Sequence, residues 1–121
     1  MRVLLVDDNE ELRGFLELCL SEVSIEVVAV GDGAAALQSA ENEKFDVYVI
    51  DSILAGGDGL ALVAELRELK NGRGVPVLLM ASISTSLARR MAQSAGCAEF
   101  LVKPFGQMQF VEQIKSLEKR R

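Results

Sequence analysis

A chain of 121 residues is the size of one domain, and half of it is hydrophobic, enough to fill one buried core and too much for a disordered segment. Thirteen Lys and Arg against 18 Asp and Glu leave a net charge of −5, which argues against a direct nucleic-acid-binding face. With no histidine, histidine triads, histidine–zinc sites and internal histidine relays are excluded, and two cysteines without ligand spacing suggest reduced packing residues rather than a disulfide framework.

The elements follow in order. Val3–Val6 is a short apolar run that ends abruptly in Asp7 and Asp8, too short for a signal peptide. Asp8 or Asn9 can cap the helix that follows, whose inner stripe is Leu12, Phe15, Leu16, Cys19 and Leu20. Val27–Val30 is a second strand, and Asp32-Gly33 opens a weaker helix with Ala36, Leu37 and Ala40 inward. Val47–Ile50 leads straight into Asp51. Asp58 reads as the cap of a third helix with Gly59, Leu62, Val63 and Leu66 inward, stopped by Asn71-Gly72-Arg73-Gly74. Val77–Met80, a helix with Ala88, Met91, Ala92 and Ala95 inward, the strand Phe100–Val102, and a helix with Phe110, Val111, Ile114 and Leu117 inward complete the pattern. Cys97 falls beside Gly96, ahead of the last strand. No stretch approaches a membrane span. The basic end, Lys119-Arg120-Arg121, complements a helix terminus.

Short Val/Ile/Leu runs alternating with amphipathic helices predict a (βα)5 α/β domain over residues 1–121. The expected architecture is a doubly wound, five-stranded parallel sheet in the flavodoxin-like order 2-1-3-4-5. In such a sheet, sites lie beyond the C-terminal strand ends, at the switch point between the first and third strands. Asp7, Asp8 and Asp51 would meet there, with Lys103 arriving from the end of the fifth strand. Taken singly, Asp51 is an ordinary loop acid and Lys103 a solvated lysine before a proline turn; their convergence carries the inference. At an effective dielectric near 20, two unit charges about 4 Å apart interact by roughly 4 kcal/mol, so such a cup favours raised pKa values or a bound cation. Hard oxygen ligands suit Mg2+ or Mn2+ better than zinc. A carboxylate beside a cation and a lysine is suited to nucleophilic attack on phosphorus, giving an acyl phosphate.

Leu5-Val6-Asp7-Asp8-Asn9, Asp51 with Asp58-Gly59 downstream, and Val102-Lys103-Pro104-Phe105 together resemble the receiver domain of two-component response regulators. The resemblance covers essentially the whole chain. It implies that Asp51 is the phosphoacceptor. It also implies that Asp8, Asp51 and the backbone carbonyl of Ile53 bind Mg2+ directly, that Asp7 assists through water, and that Lys103 pairs with the phosphoryl group or with Asp51. The Lys103–Pro104 peptide would be cis, as it often is in the family. The donor would be a phosphohistidine on a histidine kinase or histidine phosphotransfer protein, and the domain would sit in the bacterial cytoplasm, away from membranes. It would modify and slowly release its own phosphoryl group rather than turn over a substrate. The readout would pass through the fourth helix, fifth strand and fifth helix, including Ser84, Thr85, Arg89, Arg90, Phe100 and Gln107. The target would be a downstream protein or a covalently linked output domain.

The departures are equally specific. Ala81 stands where the family carries Thr or Ser, and Ser82 follows it as a possible substitute or a loop or cap serine. Leu54-Ala55 replaces the usual Met-Pro, and Gly56 and Gly57 add freedom to that loop. Phe100 occupies the aromatic switch position, where plain core packing is the simpler role. Ile53 and Ile83 stand where family members often carry polar side chains flanking the path of attacking water, so slow phosphoryl loss is expected. The alternative is a degenerate receiver, a phosphorylation-independent interaction module. A flavodoxin-like cofactor protein or an aspartate phosphatase is disfavoured: no Gly-rich loop follows the first strand, and Asp51-Ser52-Ile53 lacks a second acid.

Overall fold

The computed structural model describes residues 1–54 and 57–118. Five parallel strands, β1 (Arg2–Val6), β2 (Glu26–Val30), β3 (Val47–Asp51), β4 (Val77–Ala81) and β5 (Glu99–Val102), form one sheet. Their spatial order is β2-β1-β3-β4-β5, as the sequence pattern implies. The helices are α1 (Glu10–Glu22), α2 (Gly33–Asn42), α3 (Gly59–Glu68), α4 (Ser86–Ser94) and α5 (Gln107–Glu118). A two-residue antiparallel ladder, Ile53–Leu54 with Gly57–Asp58, lies between β3 and α3 and has no counterpart in the sequence reading. The expected mobility of Ala55 and Gly56 and the basic Lys119–Arg121 end lie outside the described residues.

Side chains alternate across the sheet, which divides the core into two layers. Val3, Leu5, Val49, Leu78, Met80 and Leu101 pack on α1 and α5 through Leu16, Leu20, Phe110 and Ile114. Leu4, Val6, Tyr48, Ile50, Val77 and Leu79 pack on the other face with Ala36, Ala40, Leu62, Val63 and Leu66. The central strands are buried on both sides, which is why they read as unbroken apolar runs.

Three expectations need correction. β2 is an edge strand, so Val27 to Val30 are only half-buried rather than covered on both faces. Phe15 and Met91, assigned to inner helical stripes, are 49% and 51% exposed. Only Ala92 of α4 is buried, because this short helix rests on the sheet margin and has little surface to cover.

Candidate functional site

Register builds the site. Leu5 pairs with Val49 and Val6 with Ile50, so the next residues, Asp7 and Asp51, stand level at adjacent strand ends. Met80 lies opposite both Asp51 and Leu101, which puts Lys103 on the same face two residues beyond. A long side chain is needed to reach back, and Lys103 Nζ donates to Asp51 Oδ2 at 3.1 Å and Asp7 Oδ2 at 3.4 Å. Lys103 N donates to Ala81 O at 2.8 Å, and the Lys103–Pro104 peptide is cis.

Asn9, not Asp8, caps α1, accepting from Leu12 N at 3.0 Å. Asp8 stands with the acids of the cup. One carboxylate oxygen from each of Asp7, Asp8 and Asp51 lies within 4.8 Å of the others, a spacing that can hold a cation. Asp7 is fully buried and Asp51 nearly so, whereas Asp8 is open to solvent. Burial pushes the Asp7 carboxyl above the usual carboxylate range, and the Asp51 charge adds to that. The Asn9 N–H, at 2.8 Å from Asp7 Oδ1, and Lys103 oppose it. A buried acid held against another acid by one lysine is the environment in which an added cation relieves repulsion.

The backbone around Asp51 is equally fixed. Ile53 N donates to Asp51 Oδ1 at 3.3 Å and Ser52 N to Met80 O at 2.8 Å. Asp58 caps α3 by accepting from Leu60 N at 2.9 Å, the structural role its sequence context suggests. A Cβ on Gly59 would lie 2.1 Å from Asp51 O, so only glycine lets α3 start this close to the β3 end. Sequence reasoning missed Arg13, whose guanidinium donates to Asp7 O at 2.9 Å and lies over Gly31, where a Cβ would meet it at 3.0 Å.

The residues expected to form the switch are placed differently. Ala81 points to the opposite face from Asp51, into an apolar cavity of about 210 Å³ with Ile53, Leu79, Ile83, Met91 and Phe100. Ser82 is exposed and caps nothing, since Thr85 caps α4, accepting from Ala88 N at 3.1 Å. Phe100 is half-buried beneath the Arg89 guanidinium, 4.9 Å from its ring centroid. Ile53 and Ile83, which line that cavity, are 65% and 56% exposed. Away from the site, Cys19 is buried, and burial pushes the Cys97 thiol up to about 11, so neither is a reactive thiol.

The model of the response regulator receiver domain family matches residues 3–115. The chain belongs to that family. This receiver is 37% identical over 120 residues to the transcriptional regulatory protein PrrA of Mycobacterium tuberculosis, covering 99% of this chain and 51% of PrrA. It is 35% identical to the transcriptional regulatory protein TctD of Salmonella typhimurium, covering 99% of this chain and 53% of TctD. The chain thus spans about half the length of the curated relatives it matches. Among solved structures, the receiver domain of a Francisella response regulator superposes with a TM-score of 0.90 at 27% identity, covering 98% of this chain and 97% of that one. The receiver domain of a sensor histidine kinase from Pseudomonas aeruginosa PAO1, solved with a magnesium ion in its active-site cleft, gives 0.89 at 29% identity, with 98% and 97% covered. Among the described residues, no helix of this receiver is long and apolar enough to cross a membrane.

Proposed function

We propose that the domain is a phosphorylation-dependent switch in which Asp51 accepts a phosphoryl group from a partner's phosphohistidine. The observation that carries this reading is the Asp51 carboxylate, nearly buried, 3.1 Å from Lys103 and grouped with Asp7 and Asp8. A carboxylate oxygen of Asp51 attacks phosphorus as the N–P bond to the donor imidazole breaks. The imidazole nitrogen keeps the bonding electron pair and takes a proton, and an acyl phosphate forms on Asp51. Lys103 already faces the oxygen Oδ2 and balances charge on the transferring group. Asp8, Asp51 and the Ile53 carbonyl would hold Mg2+ or Mn2+, with Asp7 behind them, and such an ion would supply further neutralisation. The Pseudomonas receiver with magnesium in its cleft supports the choice of ion. Water attacking the acyl phosphate restores Asp51. Ile53 and Ile83 shield that approach, so phosphoryl loss is slow for a receiver.

The donor is a histidine kinase or histidine phosphotransfer protein in the bacterial cytoplasm. The altered face, α4-β5-α5, engages a downstream protein or a linked output domain, in line with relatives described as transcriptional regulators. Magnesium titration by calorimetry tests the site: saturable uptake at millimolar ion, weakened at least tenfold by Asp8→Asn, is expected. Equal heats in both proteins would remove the reading. The second reading, a receiver that binds partners without phosphorylation, is favoured by the missing hydroxyl at Ala81. Beryllofluoride with Mg2+ decides between them, since a spectrum unchanged in the parent and in Asp51→Asn belongs to the second.

A further inference from the structure

At the opposite end of the sheet from the acidic cup, the segments that lead into β3 and β4 enclose a cavity of about 340 Å³. Lys44, Phe45 and Asp46 line it from one segment, and Lys70, Asn71 and Arg73 from the other. Three cations against one acid give this lining a net charge of +2, in a chain whose net charge is −5. All three cations are exposed, and among the described residues none of them forms an ion pair. The acids beside them are drawn to Arg2 instead. Arg2 N donates to Asp46 Oδ2 at 2.7 Å, and the Arg2 guanidinium pairs with Glu43 at 2.6 Å. Lys44 and Lys70 each follow a helix end, where one cation complements the terminus, and Arg73 is a further cation beyond those two.

Both walls are fixed by the fold. Arg2 lies over the Phe45 ring, 5.5 Å from its centroid, and holds the Lys44–Asp46 side. On the other side, Asn71 Nδ2 donates to Ala40 O at 3.3 Å and Glu41 O at 3.2 Å, which ties the turn after α3 to the end of α2. A Cβ on Gly72 would overlap the Leu66 carbonyl, so the turn folds back tightly on α3. Charges carried on such a frame lose little freedom when a ligand binds.

The chemistry of the lining selects the ligand. An arginine fork and two lysine point charges match the oxygens of adjacent phosphates. The volume falls within the range of about 300–1,000 Å³ that small-molecule pockets occupy. Phe45, the apolar residue of this lining, is 2% exposed, so the cavity offers little to the apolar side of a peptide or a lipid. We propose that this cavity binds a small polyphosphate anion, one with two or more linked phosphates, through Lys44, Lys70 and Arg73. The proposal needs neither a metal in the cup nor phosphoryl transfer to Asp51.

The test is amide NMR of the parent chain with magnesium chelated, so failure of phosphorylation leaves it untouched. At constant ionic strength, tripolyphosphate should move the amides of Lys44, Lys70, Asn71 and Arg73 saturably, and sulfate should not. Lys70→Glu and Arg73→Glu should each weaken that uptake about tenfold, the loss of one charge-assisted contact. Lys115→Glu, the same charge change on the exposed face of α5, should leave it unchanged. No saturable shift, shifts centred on Lys103, an equal response to sulfate, or equal weakening by Lys115→Glu would mean an adventitious ion only and overturn the proposal. Equal affinity for an oligoglutamate peptide, or uptake only on phosphatidylglycerol vesicles, would assign the cavity to a protein or a membrane surface and overturn it as well.

Discussion

The two sides of the sheet's C-terminal edge are built on opposite terms. On the α1/α5 side, Asp7 and Asp51 are buried and Lys103 half-buried, tied to one another and to backbone donors at 2.8 to 3.4 Å. On the α3/α4 side, Ser82, Ile83 and most of α4 are exposed, and Ala81 and Phe100 line one apolar cavity. Group transfer, as proposed for the acidic cup, would need fixed charges, because misplacement by an ångström weakens every electrostatic contact. The proposed readout would need two arrangements close in energy, which a loosely packed margin favours.

The contrast can be broken at several places. On the fixed side, Lys103→Met removes the cation that, among the described residues, touches both acids and should slow phosphorylation of Asp51 by about 10²-fold, read as the rate of phosphoprotein formation. Gly59→Ala places a methyl 2.1 Å from Asp51 O and should destabilise the fold by about 1–3 kcal/mol in urea unfolding. An unchanged midpoint would mean that α3 is less tightly set than its geometry implies.

Asp7→Asn removes a buried charge and should stabilise the metal-free protein by about 1 kcal/mol at neutral pH, the scale of a typical point substitution but with opposite sign. The pH dependence follows from the raised Asp7 pKa. Folding favours the protonated carboxyl, so its contribution is fully present below the ordinary carboxylate pKa and is lost as pH rises through the raised folded value. The advantage of Asp7→Asn should therefore grow with pH across that window and then level off. On the open side, Ala81→Thr fills part of the cavity and restores the hydroxyl that the family resemblance expects at this strand end. It should change phosphoryl lifetime or partner affinity by a few-fold, and no change in either would mean that Phe100 is uncoupled from Asp51 by more than the missing hydroxyl.

The fixed side was legible in the sequence for a physical reason. Buried parallel strands must be apolar throughout, so the first charged residue after each run marks a strand end, and Asp7, Asp51 and Lys103 are such residues. The Asp58 cap and the inward faces of α3 and α5 were read from local chemistry alone. The open side was less legible because periodicity records which residues are apolar, not whether a surface exists to cover them. Met91 and Phe15 lie on apolar stripes yet face solvent. Asp8 and Asn9 are both good caps by residue type, and only the folded backbone selects Asn9. Arg13 and Arg89 act through long side chains on distant backbone and ring, contacts that leave no local signal.

The central claim is tested most directly by intact mass after incubation with acetyl phosphate and Mg2+. The account predicts one added phosphoryl group, lost on chelating magnesium beforehand and absent in Asp51→Asn. A mass that stays unmodified in the parent, or that rises equally in Asp51→Asn, would contradict it.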